Sequence, residues 1–160
     1  PKRPKGPMPV VSKAFETISM AKIAKSAAEA RDYLFLRPGD GITMNRDRLL
    51  ADARDKALSL VDGYEPPLPV ELSLPGPSAR VGMEMAVDGF RKRGLATPHD
   101  VNVAGALAIV LSGGDTDIVR TITEDDLLRL ERRELTRLTR FPETIARVKH
   151  MLKTGRPLRN

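Results

Sequence analysis

Few side chains in this sequence could do chemistry, and the two histidines come first. His99 lies at the start of an expected helix, and His150 lies beside the apolar side of another. A catalytic histidine needs a group that orients it, and a zinc site needs several ligands at close spacing. Neither histidine has a second ligand at metal spacing, and because the sequence contains no cysteine, a zinc site would need carboxylates from elsewhere in the fold. The sequence therefore predicts no catalytic residue and no metal site.

A glycine-rich loop and an acidic cluster are the next candidates. Residues 112–115 have the sequence Ser-Gly-Gly-Asp, and residues 124–126 have the sequence Glu-Asp-Asp. Glycine-rich loops bind phosphate where they lead into the N-terminus of a helix, whereas this loop follows one, so we expect a helix C-cap. The acidic cluster falls in an expected first helical turn, where the helix dipole favours carboxylates. Both patterns indicate structural roles.

Two groups of basic residues could bind an anion. Four arginines between residues 129 and 137 alternate with glutamates, so their charges cancel and a solvated face is expected. The segment 151–160 (MLKTGRPLRN) is basic and has no acidic residue. Its Lys153 and Arg156 lie at the end of an expected helix, and both side-chain types bind phosphate. A frayed terminus and a phosphate contact are the two interpretations of this segment.

The elements that position these residues are expected to be helices. The chain has 160 residues, a length typical of one domain or of one domain with an appendage. Aromatic residues make up only 4% of it, so the core must form from aliphatic helix faces. The formal charge of +6 comes largely from the two ends of the chain. We therefore expect a mainly α fold.

Proline-rich segments divide the chain into four parts. Residues 1–9 are expected to form a flexible arm. Residues 10–63 are predicted to carry helices and, at 41–44 (Gly-Ile-Thr-Met), at most a short strand. Residues 64–77 contain five prolines and are predicted to be an extended connector. Residues 78–160 are predicted to form a C-terminal helical bundle.

Capping signals mark the helix starts. A serine or threonine followed three residues later by an acidic residue predicts a capping box. Such pairs occur at Ser26 and Glu29, Thr97 and Asp100, and Thr123 and Asp126. The helix that begins after Thr97 is apolar on all sides, which predicts the central helix of the C-terminal bundle.

The order of elements in the first half resembles a known enzyme superfamily. Residues 26–30 (Ser-Ala-Ala-Glu-Ala) are followed by a leucine-containing turn at 32–40. Residues 41–45 (Gly-Ile-Thr-Met-Asn) then lead into a helix with apolar residues at 49, 50 and 53. This order is similar to the region that follows the catalytic core in the crotonase (enoyl-CoA hydratase/isomerase) superfamily.

Further segments extend the resemblance over nearly the whole chain. They are Lys13-Ala-Phe-Glu-Thr-Ile-Ser, Gly63-Tyr64, Pro66-Pro67, Glu131 within Leu-Glu-Arg-x-x-Leu, and the ending His150-Met-Leu-Lys-Thr-Gly-Arg-Pro-Leu-Arg-Asn160. With these segments the chain resembles the C-terminus of bacterial bifunctional 3-hydroxyacyl-CoA dehydrogenases. Proteins of that family carry a dehydrogenase first and a crotonase-type hydratase last.

The resemblance implies a fragment of a fatty-acid β-oxidation enzyme. The fragment would supply lid and oligomerisation helices to an acyl-CoA site whose catalytic residues lie upstream of this chain. The parent protein would use acyl-CoA and NAD, whereas the 160 residues alone are expected to be inactive and to hold no cofactor. Lys153 and Arg156 would contact the phosphates of CoA. Self-association through helical surfaces is expected, without nucleic-acid or membrane partners.

An alternative function remains open on the residues alone. An independent helical binding module could direct its basic C-terminus to nucleic acid or to an acidic partner. No apolar run approaches the roughly 20 residues that cross a bilayer, so no membrane span is predicted. The absence of cysteine fits a reducing compartment, and we expect the cytoplasm.

Overall fold

The computed structural model describes residues 7–160, and within this range the chain is mainly α-helical, as predicted. Its elements are α1 (Pro7–Ser19), α2 (Ala27–Asp32), a short 3-10 helix (Arg46–Arg48), α3 (Leu49–Leu58), β1 (Glu71–Ser73), α4 (Gly76–Lys92), α5 (Pro98–Ser112), β2 (Thr121–Thr123), α6 (Glu124–Leu138) and α7 (Pro142–Thr154).

The arm predicted at residues 1–9 is partly helical. Residues 1–6 lie outside the described residues, whereas 7–9 form the start of α1. Two of these three residues are prolines. Proline is tolerated in the first helical turn because the backbone amides there have no intrahelical acceptor to lose. The helix can therefore begin within the proline-rich stretch.

The chain forms two compact units. One contains residues 7–21 together with Pro69–Asn160, and the other is Lys22–Leu68. We call the second the 22–68 unit; it contains α2, the 3-10 helix and α3. This division places α1 with the later helices, whereas the sequence segments were 10–63 and 78–160; α1 packs with α4 and α5.

The core of the first unit lies where α1, α4 and α5 meet. Its buried members are Val11 and Phe15 of α1, Ala79, Met83 and Val87 of α4, and Ala104 and Ala108 of α5. The alanines four residues apart on α5 lie on one face and allow close packing of neighbouring helices. Helix α5 contacts α1, α4 and α6, so the prediction of a central helix is confirmed.

Helix caps form largely as the sequence predicts. Thr97 Oγ1 accepts a hydrogen bond from Asp100 N (3.1 Å), and Asp100 Oδ2 accepts one from Thr97 N (2.8 Å). The same reciprocal pair forms at the start of α6. At α2 the serine caps the helix, but Glu29 Oε2 accepts from the backbone amide of Lys25 (2.7 Å). Two of the three predicted capping boxes are therefore confirmed in full.

The prediction of a short strand at 41–44 is wrong. Those residues form no strand, and the sheet found among residues 7–160 pairs β1 with β2 in antiparallel register, with Leu72 opposite Ile122. A strand needs a partner for its backbone groups. Strand β1 lies inside the predicted connector 64–77, but its own residues 71–73 contain no proline and can pair.

Candidate functional site

The two basic residues predicted to contact phosphate lie at the C-terminal end of α7. Lys153 is in the last turn of the helix, and Arg156 follows Gly155, whose φ of 67° ends the helix in the left-handed conformation. Both side chains are exposed, and neither forms an ion pair with any residue in 7–160. Their cationic groups are therefore available to a ligand.

The turn that carries Arg156 has a defined geometry. Thr154 Oγ1 donates a hydrogen bond to the His150 carbonyl oxygen (2.8 Å) and accepts one from the backbone amide of Arg156 (3.2 Å). These bonds keep the backbone of Arg156 beside the end of α7. The negative end of a helix dipole attracts cations, which favours a charged Lys153 there.

The final residues of the chain are tied down rather than frayed. Arg147 Nε donates to Asn160 Oδ1 (2.6 Å), and Arg147 Nη2 donates to the Asn160 carbonyl oxygen (3.0 Å). Arg159 Nη2 donates to the Leu95 carbonyl oxygen (2.9 Å), and Asn160 Nδ2 donates to that of Glu143 (3.2 Å). We call this set of contacts the tail latch. The latch fixes the last two residues of the segment that presents Arg156, and the other end of that segment continues from α7.

Arg147 also joins the tail latch to the start of α5. Its Nη2 lies 2.8 Å from Asp100 Oδ1 and donates to Thr97 Oγ1 (3.3 Å). Partial burial raises the pKa of the Asp100 carboxyl, but the Thr97 amide and the Arg147 guanidinium together outweigh it and hold that pKa below its ordinary value. Asp100 therefore carries its charge at neutral pH and serves as helix cap and ion-pair partner at once.

Arg147 is the structurally important residue that the sequence did not single out. Its partner Asn160 is 13 residues away, and no periodic pattern connects them. The sequence showed only that Arg147 lies on α7 next to Val148, one of the apolar residues of that helix. That signal is shared by many solvated arginines, so it could not have identified the contact.

His99 also connects α5 to α7, and its role is structural. The residue is 97% buried, its Nε2 is 2.9 Å from Thr144 Oγ1, and its ring centre lies 5.8 Å from that of Phe141.

Within residues 7–160 no group of three ligand-type side chains could hold a metal ion. His150 lies on α7, and its imidazole makes no hydrogen bond with the described residues.

The loop after α5 is a helix C-cap, as predicted. Gly113 adopts φ 85°, and the amides of Gly113 and Gly114 donate to the carbonyls of Val110 and Ile109. Those amides point back into the helix and cannot cradle a phosphate. The glycine-rich sequence is thus explained by the turn it makes.

Apolar side chains of the 22–68 unit are exposed to an unusual extent. None of its residues is buried. The large apolar side chains left exposed are Ile23, Leu34, Phe35, Ile42, Met44, Leu49, Leu50, Leu58, Leu60, Val61, Tyr64 and Leu68. Soluble monomers expose single apolar residues routinely, but rarely a whole unit without a buried member. We call these twelve side chains the 22–68 apolar surface.

Helix α7 shows the same property. The spacing of its apolar residues at 145, 148, 151 and 152 predicts that they point inward, but no residue of α7 is buried, and Leu152 is 82% exposed. The amphipathic pattern is present, yet the apolar face of α7 stays exposed in the part of the chain that the structure describes. None of the helices within residues 7–160 is both long and apolar enough to span a bilayer.

Comparison with known proteins gives one informative relative. Over 155 residues, or 96% of this chain, the sequence is 37% identical to a protein of Bacillus subtilis (strain 168) described as a probable 3-hydroxyacyl-CoA dehydrogenase. The chain spans only 20% of the length of that relative. No protein-family profile matches the sequence, and no solved structure matches it significantly.

Proposed function

We propose that this chain works as the C-terminal part of a larger 3-hydroxyacyl-CoA dehydrogenase of fatty-acid β-oxidation. The observation that carries the proposal is the 37% identity, over 96% of the chain, to a protein described as such an enzyme. The match covers 20% of that relative, and in this proposal the reactive groups of the enzyme lie in the remaining four fifths. This chain would contribute association surfaces and no catalytic residue.

The exposed apolar residues support a role inside a larger protein. Met44, Leu50 and Leu68 are 92%, 82% and 87% exposed. Covering side chains of this size contributes about 1.5–3 kcal/mol each, so these three alone would stabilise docking by roughly 4–9 kcal/mol. Exposed apolar surfaces of this kind mark interaction sites, and in this proposal another part of the enzyme, or another copy, covers this one.

The resemblance to the crotonase superfamily suggests what the helices cover. In this proposal the 22–68 unit follows a crotonase-type hydratase core, and its helices form part of the lid and of the oligomer contact. The parent enzyme would bind acyl-CoA, use NAD for the dehydrogenase step and act in the cytoplasm. Lys153 and Arg156 would contact the phosphates of CoA, because both are unpaired and the tail latch fixes the segment on which Arg156 lies.

The nucleic-acid alternative has less support. Within the basic segment 151–160, the Arg159 guanidinium donates to the Leu95 carbonyl oxygen, so this part of its donor set is already used. Three arginines of α6 pair with carboxylates on the same helix. A site that binds the phosphate backbone of a single-stranded nucleic acid needs a continuous positive surface and aromatic side chains on which bases stack. The arginines of α6 and of the tail lie in neither setting.

A chimeric enzyme tests the proposal. The segment of the Bacillus subtilis relative that matches this chain is replaced by residues 1–160, and dehydrogenase and hydratase activities are measured beside a deletion of the same segment. The proposal predicts that the chimera keeps at least one of the two activities and that the deletion loses it. Full activity in the deletion would refute a role for these helices.

A further inference from the structure

A groove lies beside α6, apart from the tail. It is formed by the loop after α5, strand β2 and the first turns of α6, and its volume is about 370 Å³. We call it the α6 groove. Three arginines line it, Arg120, Arg129 and Arg133, together with the apolar residues Ile122 and Leu130.

The arginines reach the groove from two elements. Arg129 and Arg133 are four residues apart on α6, a spacing that places them on the same helix face. Arg120 immediately precedes β2. Side chains from two elements converge on one groove here, whereas a solvated helix face would carry arginines from the helix alone.

Two carboxylates line the same groove, but they leave guanidinium donors free. Asp126 Oδ2 accepts from Thr123 N (3.0 Å) and Thr123 Oγ1 (2.7 Å), while its Oδ1 pairs with Arg129 Nη2. The Thr123 hydroxyl and amide, with Arg129, lower the pKa of Asp126 to about 2, so it is charged. A guanidinium has five donors, and one bond to Asp126 leaves four. Asp115 lies 3.8 Å from Arg80, which is not part of the groove.

The other two arginines also have unused donors. Arg133 Nε donates to Glu134 Oε1 (3.1 Å), and Glu134 Oε2 accepts from Arg137 Nε (2.7 Å). The terminal nitrogens of Arg133 remain available. The Arg120 side chain forms no hydrogen bond or ion pair with any residue that the structure describes. The carboxylates of Asp126 and Glu134 therefore orient two arginines without using up their donors.

A buried hydroxyl on the groove lacks a partner. Thr116 lines the groove and is 92% buried, and its Oγ1 has no hydrogen-bond partner among the described residues. Buried hydroxyl groups in folded proteins almost always have a protein or water partner. An oxygen of a ligand, or a water that it holds, would supply what Thr116 lacks.

We propose that the α6 groove binds the phosphate group of a small molecule, with Arg120, Arg129 and Arg133 donating to its oxygens and Thr116 completing the site. Guanidinium groups bind phosphate through paired donors, and three of them around one groove suit a phosphate better than a single carboxylate. The volume accommodates inorganic phosphate or a phosphate monoester with a small attached group. The proposal does not depend on Lys153, on Arg156 or on the proposed enzyme.

Calorimetric titration of the 160-residue chain tests the groove. Inorganic phosphate is titrated into the unsubstituted chain, Arg120→Gln, Arg133→Gln and the matched control Arg132→Gln, whose side chain lies on α6 outside the groove. Each groove variant should weaken phosphate binding by about 5- to 20-fold, since each loses one charge-assisted contact. The control should stay within about twofold. Thr116→Val should weaken binding by about threefold without changing the helix content.

Three outcomes would overturn the proposal. The first is the absence of saturable phosphate binding, and the second is an equal loss in Arg132→Gln, which would show a general charge effect. The third concerns the tail. A double variant, Lys153→Gln with Arg156→Gln, must keep phosphate binding; if it loses binding, the anion sits at the tail and the groove proposal fails.

Titration with CoA, which carries a phosphate monoester, then identifies the source of the phosphate. If CoA competes with phosphate and Arg120→Gln weakens both, the groove takes a nucleotide phosphate. If phosphate binds and CoA does not compete, the groove takes free phosphate or a smaller ester. Either result supports a phosphate site.

Discussion

Replacing Asp100 with asparagine should destabilise the first unit, because this carboxylate makes two contacts at once. It accepts the Thr97 amide at 2.8 Å as part of a capping box and pairs with Arg147 at 2.8 Å. Both members of the ion pair are less than one third exposed. Asparagine keeps one acceptor and loses the charge, so we expect a loss of roughly 1–3 kcal/mol in the free energy of unfolding.

The pH dependence of this loss has a defined sign. The folded-state pKa of Asp100 lies below its ordinary value, near 3.9 in unfolded chains. Its contribution is therefore complete above about pH 4 and is lost as the pH falls through the lower folded-state pKa. The difference in stability between the unsubstituted chain and Asp100→Asn should be constant near neutral pH and should shrink below about pH 4.

Urea unfolding followed by circular dichroism at 222 nm measures this difference at several pH values. Asp88→Asn is the matched control, because Asp88 also forms ion pairs, with Arg91 and Lys92, but lies on an exposed face of α4. The control should unfold close to the unsubstituted chain at neutral pH. Equal stability of Asp100→Asn at neutral pH, or a difference that persists unchanged to pH 2, would refute the reasoning.

Three further predictions concern the surface, a turn and the tail. Leu50→Ser should reduce self-association in sedimentation velocity without lowering the urea midpoint, because Leu50 is 82% exposed. Gly76→Ala should cost about 1–3 kcal/mol in urea unfolding, because φ is +68° and the new Cβ would lie 2.3 Å from a backbone carbonyl oxygen. Lys153→Gln with Arg156→Gln should weaken CoA binding several-fold in calorimetry, while a short DNA duplex should bind neither form tightly at either of two salt concentrations.

Each of these predictions has its own control. For Leu50, unchanged self-association in the serine variant would show that other residues form the contact. For Gly76 the control is Gly39→Ala, where no atom lies within 4 Å of the new Cβ; equal stability of both variants would contradict the strain argument. For the tail, tight and salt-dependent duplex binding that the double variant abolishes would favour the nucleic-acid alternative.

Local features of this fold were predictable from the sequence, and distant contacts were not. The caps at Thr97 and Thr123 depend on residues three positions apart, so the sequence shows them directly. Strand β1 depends on β2, some 50 residues further along, whereas 41–44 contain the β-favouring Ile42 and Thr43 but pair with no strand among residues 7–160. Propensity alone cannot choose between them.

In the candidate site, too, local features were predictable and distant contacts were not. Lys153 and Arg156 were identified because charge and helix ends are visible in a sequence. The tail latch was missed, because Arg159 and Leu95 are separated by 64 residues and the acceptor is a backbone carbonyl. The exposure of α7 was also missed, since an amphipathic pattern shows which face should be covered but not whether the covering element belongs to the same chain.

Hydrogen–deuterium exchange of residues 22–68 is the most direct test of the claim that this chain docks its apolar helices onto a larger enzyme. The amides of this segment are measured in the 160-residue chain at low concentration and again within the chimeric enzyme described above. We predict fast exchange in the chain alone and protection by at least about tenfold in the chimera. Strong protection in the isolated monomer, or equally fast exchange in both, would contradict the proposal.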